Sequence, residues 1–229
     1  MFTSVVVVGT GRVGSAVATR LAERIPTRTT GRALACEHAD LVLLCVPDSA
    51  IADVARHVPV GPYVAHVSGA TRLEALAPHT SRFSVHPLQT FKLGLGPTQL
   101  DGAWGAISGE TDEALAVAED TALALGLRSF VLTDDLRPLY HAGAAMAASF
   151  LVTLREVAGD LLSDAGAPPE ALAPLMRRVI DNGFPHTGPH VRSDLATIDA
   201  HVAAIEERRP ELVDLYRLLS DTTRELAAR

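Results

Sequence analysis

Aromatic residues are scarce in this chain. Phe, Trp and Tyr make up 4% of its 229 residues, whereas 48% of the residues are hydrophobic. The core is therefore expected to be Ala, Val and Leu, which suits close packing of helices on a sheet. Cysteine is nearly absent as well. Cys36 and Cys45 are too few for a disulfide framework. Both read as buried thiols, Cys45 in an apolar strand-like run and Cys36 in a helical segment. Lysine occurs once, as Lys92, among 20 basic residues. The 27 acidic residues bring the net charge to −7, which gives no general electrostatic case for nucleic acid as a partner. No apolar run reaches about 18 residues, so no membrane span is expected. The chain enters a strand almost at once, which leaves no room for a signal peptide, and the expected location is cytoplasmic.

What the sequence does have stands at its start. Val5 to Leu21 reads VVVVGTGRVGSAVATRL. Four consecutive valines suit a strand buried on both faces of a parallel sheet. Gly9, Thr10, Gly11, Arg12, Val13 and Gly14 follow with full G-x-G-x-x-G spacing, and Val13, Val17 and Leu21 then fall on one helical face. Each glycine has a physical task. Gly9 permits a tight turn off the strand, Gly11 lets the backbone approach a pyrophosphate, and Gly14 lets the helix pack on the sheet. The unpaired N–H groups at the helix start favour the negative phosphates. Strand, glycine turn and helix together predict dinucleotide binding.

The next strand, within residues 25–32, predicts which dinucleotide. About 20 residues past the glycine turn, an NAD-binding chain places an acid for the ribose hydroxyls. Here that window carries Thr29, Thr30, Gly31 and Arg32, with Arg28 nearby and no acid. A guanidinium binds a 2′-phosphate that a carboxylate would repel, so NADP is the expected cofactor.

Further along, residues 34–40 read as a short helical link and Leu41 to Val46 as a third buried strand. Ligands of open α/β sheets lie beyond the carboxyl ends of strands, so Val46 and Pro47 are expected against the cofactor. A strand at Tyr63 to Val67 ends in Ser68 and Gly69 at the same edge, within reach of the nicotinamide or substrate. Further strands are read at Phe83 to Pro87, Trp104 to Ser108 and Ser129 to Leu132. From residue 134 onward no further strand is read, and helical stretches follow, interrupted by a break at Gly166 to Pro169 and a loop from Asn182 to Pro189. The expected architecture is an α/β Rossmann domain with a parallel doubly wound sheet over residues 1–132, then an all-α domain of dimerisation type over 133–229.

Four stretches, in order, carry a family resemblance: HVSGA (His66 to Ala70), SVHPLQTF (Ser84 to Phe91), LYHAGA (Leu139 to Ala144) and TGPHVRSD (Thr187 to Asp194). Together they resemble the Rossmann-like NADP oxidoreductases that carry a C-terminal helical domain of unknown function. That group is similar in architecture to pyrroline-5-carboxylate reductase, ketopantoate reductase and 6-phosphogluconate dehydrogenase. The resemblance implies NADP-linked reduction and a helical domain used for homodimerisation and for closing the substrate site. Two positions depart from the pattern. Ser149 stands where members carry Asn, and Arg192-Ser193-Asp194 where they carry R-G-D.

In such a reaction the nicotinamide carries the hydride and the protein supplies a proton. His141 is the first candidate donor, since imidazole titrates near working pH. His141, Ala145 and Ser149 follow at i, i+4 steps, which puts Ser149 on the same face as a second candidate. Ser68, His86, Lys92 and Arg192 are candidates for the substrate. Of these, Arg192 suits a carboxylate, while a solvated loop position equally explains Lys92. Asp194 is either the partner of Arg192 or the cap of the helix it begins. His186 and His190 are four apart, but Gly188 and Pro189 break any helix that would align them, so no metal is expected. The sequence thus predicts an NADP-dependent reductase of a small carboxylate-bearing oxo acid, such as ketopantoate, or of an imine. The rival expectation is an inactive NADP-binding regulatory or scaffold protein.

Overall fold

The computed structural model describes residues 2–31 and 34–229. Arg32 lies outside the described residues. The chain folds as two compact units whose border falls between Ala148 and Ser149.

The first unit is built on a seven-stranded sheet. Its elements are β1 (Val5–Val8), α1 (Arg12–Ala22), β2 (Thr27–Thr30), β3 (Leu41–Leu44), α2 (Asp48–His57), β4 (Tyr63–His66), β5 (Arg82–Pro87), β6 (Trp104–Gly109), α3 (Asp112–Ala124), β7 (Arg128–Val131) and α4 (Arg137–Ala145). The strand order is β2-β1-β3-β4-β5-β6-β7. Order reverses beside β1, which makes the crevice above β1 and β3 the switch point where α/β sheets bind ligands. Alternate residues of the buried strands enter opposite cores. Val5, Val7, Leu41 and Leu43 join Val17, Leu21 and Ala118 of α1 and α3 on one face. Val6, Val8, Val42 and Leu44 join Ile51 and Ala55 of α2 on the other. The four valines of β1 are thus buried on both sides, worth about 1.5 to 3 kcal/mol apiece.

The register brings the strand ends level. Val8 pairs with Thr30 and Leu44, Leu44 with His66, and His66 with Ser84. The turns after β1, β2, β3 and β4 therefore open along one edge.

Two expectations are corrected. The sheet is mostly parallel, but β6 runs antiparallel to β5, and β7 follows β6. The segment between β5 and β6 holds only a short 3₁₀ turn, Pro97–Leu100, in place of the crossover helix that a parallel return needs. The chain therefore comes straight back, and the Leu88 N–H donates to the Trp104 carbonyl at 2.7 Å. The described residues 34–40 form turns rather than a helix. Asp40 draws this stretch to the N-terminus by accepting hydrogen bonds from the backbone N–H groups of Thr3 and Ser4 and from the Thr3 hydroxyl. Cys36 is buried there, outside any helix.

Met146–Phe150 forms a π-helical turn that carries the chain across the border. The regular i, i+4 step expected from His141 through Ala145 to Ser149 thus holds only as far as Ala145. The second unit contains α5 (Leu151–Asp164), α6 (Leu172–Asp181), α7 (Leu195–Arg208) and α8 (Val213–Ala227). Gly159 of α5 lets Pro169 approach, its absent Cβ lying 3.4 Å from that of the proline. Arg209 donates from Nε and Nη2 to both carboxylate oxygens of Asp164, at 2.7 and 3.2 Å. Asp194 caps α7, accepting from the Thr197 N–H and hydroxyl, and these bonds hold its carboxyl below the usual value. Among the described residues, no helix is long and apolar enough to cross a membrane.

Candidate active site

The turn after β1 is shaped by what its glycines exclude. Gly9 has φ +117°, in the region that favours glycine, and a Cβ there would run into the Cys45 carbonyl. A Cβ on Gly14 would strike the Gly9 carbonyl, so α1 starts flush against the turn. Gly11 caps α1 without a side-chain hydrogen bond, and a Cβ there would meet nothing within 4 Å. The middle glycine thus opens onto free space at a helix N-terminus whose first turn contains no acid. That is the arrangement a pyrophosphate requires. Thr10 and Arg12 are exposed on this turn, while Val13 packs against the core.

A cleft of about 820 Å³ lies beside the turn. Gly9, Thr10, Gly31, Val46 and Pro47 line it, all of them expected cofactor positions. Leu34, Asp53, Val54 and His57 also line it. Sequence reasoning missed these four because three of them come from α2, which no glycine motif marks. Asp53 supplies an acid that the β2 window lacks, and its carboxylate accepts from Arg56 at 3.0 Å. The Thr30 hydroxyl accepts from the Ala35 N–H.

Farther along the same edge, β4 and β5 present a second constellation. Ser68 is buried, and its hydroxyl is committed to its own turn. That oxygen accepts from the N–H groups of Ala70 and Thr71 and donates to the Thr71 hydroxyl at 2.9 Å. Gly69 follows. A Cβ on Gly69 would lie 2.8 Å from His141 Cδ2, 2.8 Å from His86 Cε1 and 2.9 Å from His86 Nε2. Only glycine therefore lets the two imidazoles close on this loop, their centroids 6.1 Å apart. Tyr140 stands behind His86, its hydroxyl 2.7 Å from Nδ1 and the rings edge to face.

Arg137 organises this end of the sheet. Its side chain is wholly buried. Nε donates to Asp134 at 2.6 Å, Nη1 to the Ser68 carbonyl at 3.2 Å, and Nη2 to the hydroxyls of Ser84 and Ser108. Asp134 in turn accepts from the Leu73 N–H at 2.7 Å. Burial and nearby positive charge keep the neighbouring histidines neutral. His86 is pushed down to about 4 by desolvation, then by the charges of His141 and Arg137. His66, whose Nδ1 accepts from the Ser68 N–H, is pushed down to about 3, mainly by burial. Burial raises the Tyr140 phenol to about 12 and the Cys45 thiol to about 12.

The sequence matches a Rossmann-like domain over residues 3–90 and a domain of unknown function, DUF2520, over residues 103–223. The second match covers more than half of the chain. The chain belongs to the DUF2520 family.

Solved structures resemble this DUF2520 protein along its full length. A protein from Bacteroides fragilis, described as a candidate NADP oxidoreductase, superposes with a TM-score of 0.79 at 20% identity, covering 97% of this chain and 98% of that one. Protein TM1727 from Thermotoga maritima gives 0.79 at 24% identity, with 98% of each chain covered. The 1-pyrroline-5-carboxylate reductase of Streptococcus pyogenes gives 0.63 at 16% identity, covering 98% of this chain and 97% of that one. These likenesses establish a shared fold, a mostly parallel Rossmann-like sheet followed by a helical region. None of the curated proteins matches the sequence.

Of the expected site residues, the DUF2520 protein brings His86, His141 and Gly69 together and places Ser68 beside them. Lys92 is exposed, its backbone clasped by the Gln99 side chain, which accepts from the Lys92 N–H and donates to its carbonyl. Ser149 and Arg192 belong to the second unit, and both are exposed. The neighbouring Ser193 has φ +53°, which accounts for glycine in the usual R-G-D pattern. Tyr140 and Arg137 were not anticipated. The available signal was Ser84 and Ser108, hydroxyls inside apolar strands that need a buried partner. Among the described residues, no group of three or more His, Cys, Asp or Glu side chains is placed to hold a metal.

Proposed function

We propose that this protein reduces a C=O or C=N group of a small carboxylate-bearing substrate at the expense of NADPH. The observation that carries this reading is the row of strand ends. The phosphate-type turn stands after β1, and two imidazoles converge on Gly69 after β4. From β1 to β5 is three strand spacings, about 14 Å, a span suited to an extended dinucleotide. Bound there, the cofactor supplies the hydride. The chain supplies everything else. Gly9, Gly11 and Gly14 seat the pyrophosphate, and Val46, Pro47 and Gly69 border the cofactor along the edge. His141 gives its proton to the substrate oxygen or nitrogen as the carbon receives the hydride. One alcohol or amine and one NADP⁺ leave, and the imidazole is reprotonated from water.

Arg192 is the proposed carboxylate anchor and Arg32 the proposed reader of the 2′-phosphate. A homodimer through the second unit is part of this reading. Exposed Leu175, Val179, Ile180 and Phe184 on and after α6 support it, since a lone unit gains nothing by showing them to water.

NADPH oxidation by the purified protein against a panel of 2-oxo acids, ketopantoate included, and cyclic imines tests the proposal. Turnover is expected with one class. His141→Ala should lower kcat by about 100-fold and leave NADPH affinity nearly unchanged. Arg32→Ala should weaken NADPH binding far more than NADH binding. Tight NADPH binding with no turnover on any panel member would favour the regulatory reading instead.

A further inference from the structure

His86 and Tyr140 make a contact that the proposed chemistry does not yet use. The Tyr140 hydroxyl and His86 Nδ1 are 2.7 Å apart, with the rings at 86°. Phe130 holds the other side of Tyr140, edge to face at 5.8 Å. The remaining ring nitrogen, His86 Nε2, lies with Cε1 on the ring edge turned toward Gly69, beside the His141 ring.

A phenol is a strong donor and a weak acceptor, whereas an unprotonated imidazole nitrogen is a strong acceptor. The hydrogen bond therefore runs from Tyr140 to Nδ1. A neutral ring then has to carry its proton on Nε2, because the bond made at one nitrogen sets the state of the other. The charged groups around His86 agree with a neutral ring. Arg137 and His141 of α4 disfavour a second positive charge, and Asp48 at the start of α2 opposes them weakly. Tyr140 stays protonated, since its phenol is pushed up to about 12 by burial.

We propose that His86 is a second catalytic residue, a neutral imidazole that offers its Nε2–H to the substrate oxygen or nitrogen, and that Tyr140 is the positioning residue that fixes this tautomer. The proposal rests on the reductase reading above and adds a division of labour to it. His141 transfers the proton, while His86 holds and polarises the acceptor without changing its own charge. A neutral imidazole serves this purpose because its N–H can stabilise developing negative charge throughout the hydride step without first being deprotonated. Gly69 is the condition for both roles, since any Cβ there would occupy the point where the rings meet.

Two measurements test this, and the first needs no turnover. In wild-type protein labelled with ¹⁵N at histidine, long-range proton–nitrogen correlations should show His86 with a pyridine-type Nδ1 and a pyrrole-type Nε2 at pH 7. In Tyr140→Phe the population should shift toward the other tautomer. The opposite tautomer in the wild type, or no change in Tyr140→Phe, overturns the proposal.

The second measurement compares two amides. His86→Gln places an amide N–H near the Nε2 position, and His86→Asn places one near Nδ1. His86→Gln should retain at least about tenfold more kcat than His86→Asn, with NADPH affinity alike in both. Equal kcat values, or the reverse order, overturn it. If the tautomer is as assigned and no substrate of the panel reacts, the reductase reading fails while the Tyr140–His86 assignment stands on the spectra.

Discussion

His66 and His86 stand near the ends of neighbouring strands, and both are kept from protonation by the fold. Their ordinary value is 6.5, lowered to about 3 for His66 and about 4 for His86. Between those limits the unfolded chain binds protons that the folded chain refuses, so stability rises with pH across that window. Their contribution is complete above about pH 6.5 and is lost as pH falls toward 4, at up to about 1.4 kcal/mol per pH unit for each ring. Asp40 and Asp164, held below 3.8 by hydrogen bonds, add their own losses only in stronger acid. Urea midpoints are therefore expected to be flat above pH 7 and to drop steeply from 6.5 to 4.5. A flat profile through pH 5 would mean that neither ring is held neutral. At this scale the sequence was legible wherever one residue's own chemistry decides. Gly9 makes the tight turn and Gly14 the close helix packing that their spacing implies, and Asp194 is a helix cap. Tyr140 was not legible, because its meaning lies in a partner 54 positions away.

At the scale of elements, Arg137 ties the first turn of α4 to the turn after β4 through the Ser68 carbonyl, and to β5 and β6 through two strand serines. Ser108 passes the tie onward by donating to the Leu132 carbonyl at the end of β7. Removing the guanidinium leaves the buried hydroxyls of Ser84 and Ser108 without their shared donor and half-buried Asp134 without its ion-pair partner. Arg137→Ala is therefore expected to cost about 3 to 5 kcal/mol, read as a lowered urea midpoint. Arg137→Lys should recover little, because a single ammonium cannot reach acceptors spread around a planar fork. Loss of less than about 1 kcal/mol in Arg137→Ala would show that the network is incidental. Strands and helices with strong periodicity could be read locally, from the valines of β1 to the amphipathic α1. The direction of β6 could not, since it is set by how the chain returns from β5 and not by anything within Trp104 to Gly109. Residues 34–40 misled for the same reason. Their apolar spacing suits a helix, but Asp40 is claimed by Thr3 and Ser4.

For the whole molecule, the balance of buried and exposed surface differs between the two units. The inner strands β1 and β3 of the first unit hide their apolar residues on both faces. The second unit leaves Leu175 of α6 59% exposed and Phe184 after it 68% exposed, with Leu218 of α8 at 64%. Burying such side chains is worth about 1.5 to 3 kcal/mol apiece, enough to hold two copies together if they share this surface. Light scattering on a sizing column should give twice the 24.2 kDa chain mass at micromolar concentration. Val179→Glu with Ile180→Asp should reduce that to one chain. A monomer in the wild type would leave those residues to another partner. Neither outcome was legible from helical periodicity, which says which face is apolar and not what covers it.

The Arg137 tie also has a consequence for how the protein is made. Synthesis runs from the N-terminus, so Ser68, Ser84 and Ser108 leave the ribosome 69, 53 and 29 positions ahead of the arginine that satisfies them. Until then the emerging sheet has its strands but lacks the guanidinium that pairs with the Ser68 carbonyl and the hydroxyls of Ser84 and Ser108. The last strand, ending at Val131, therefore does not complete the sheet-bearing half. That half becomes self-sufficient only when α4 has been translated, and a nascent chain paused just before Leu136 would hold a sheet waiting for its keystone.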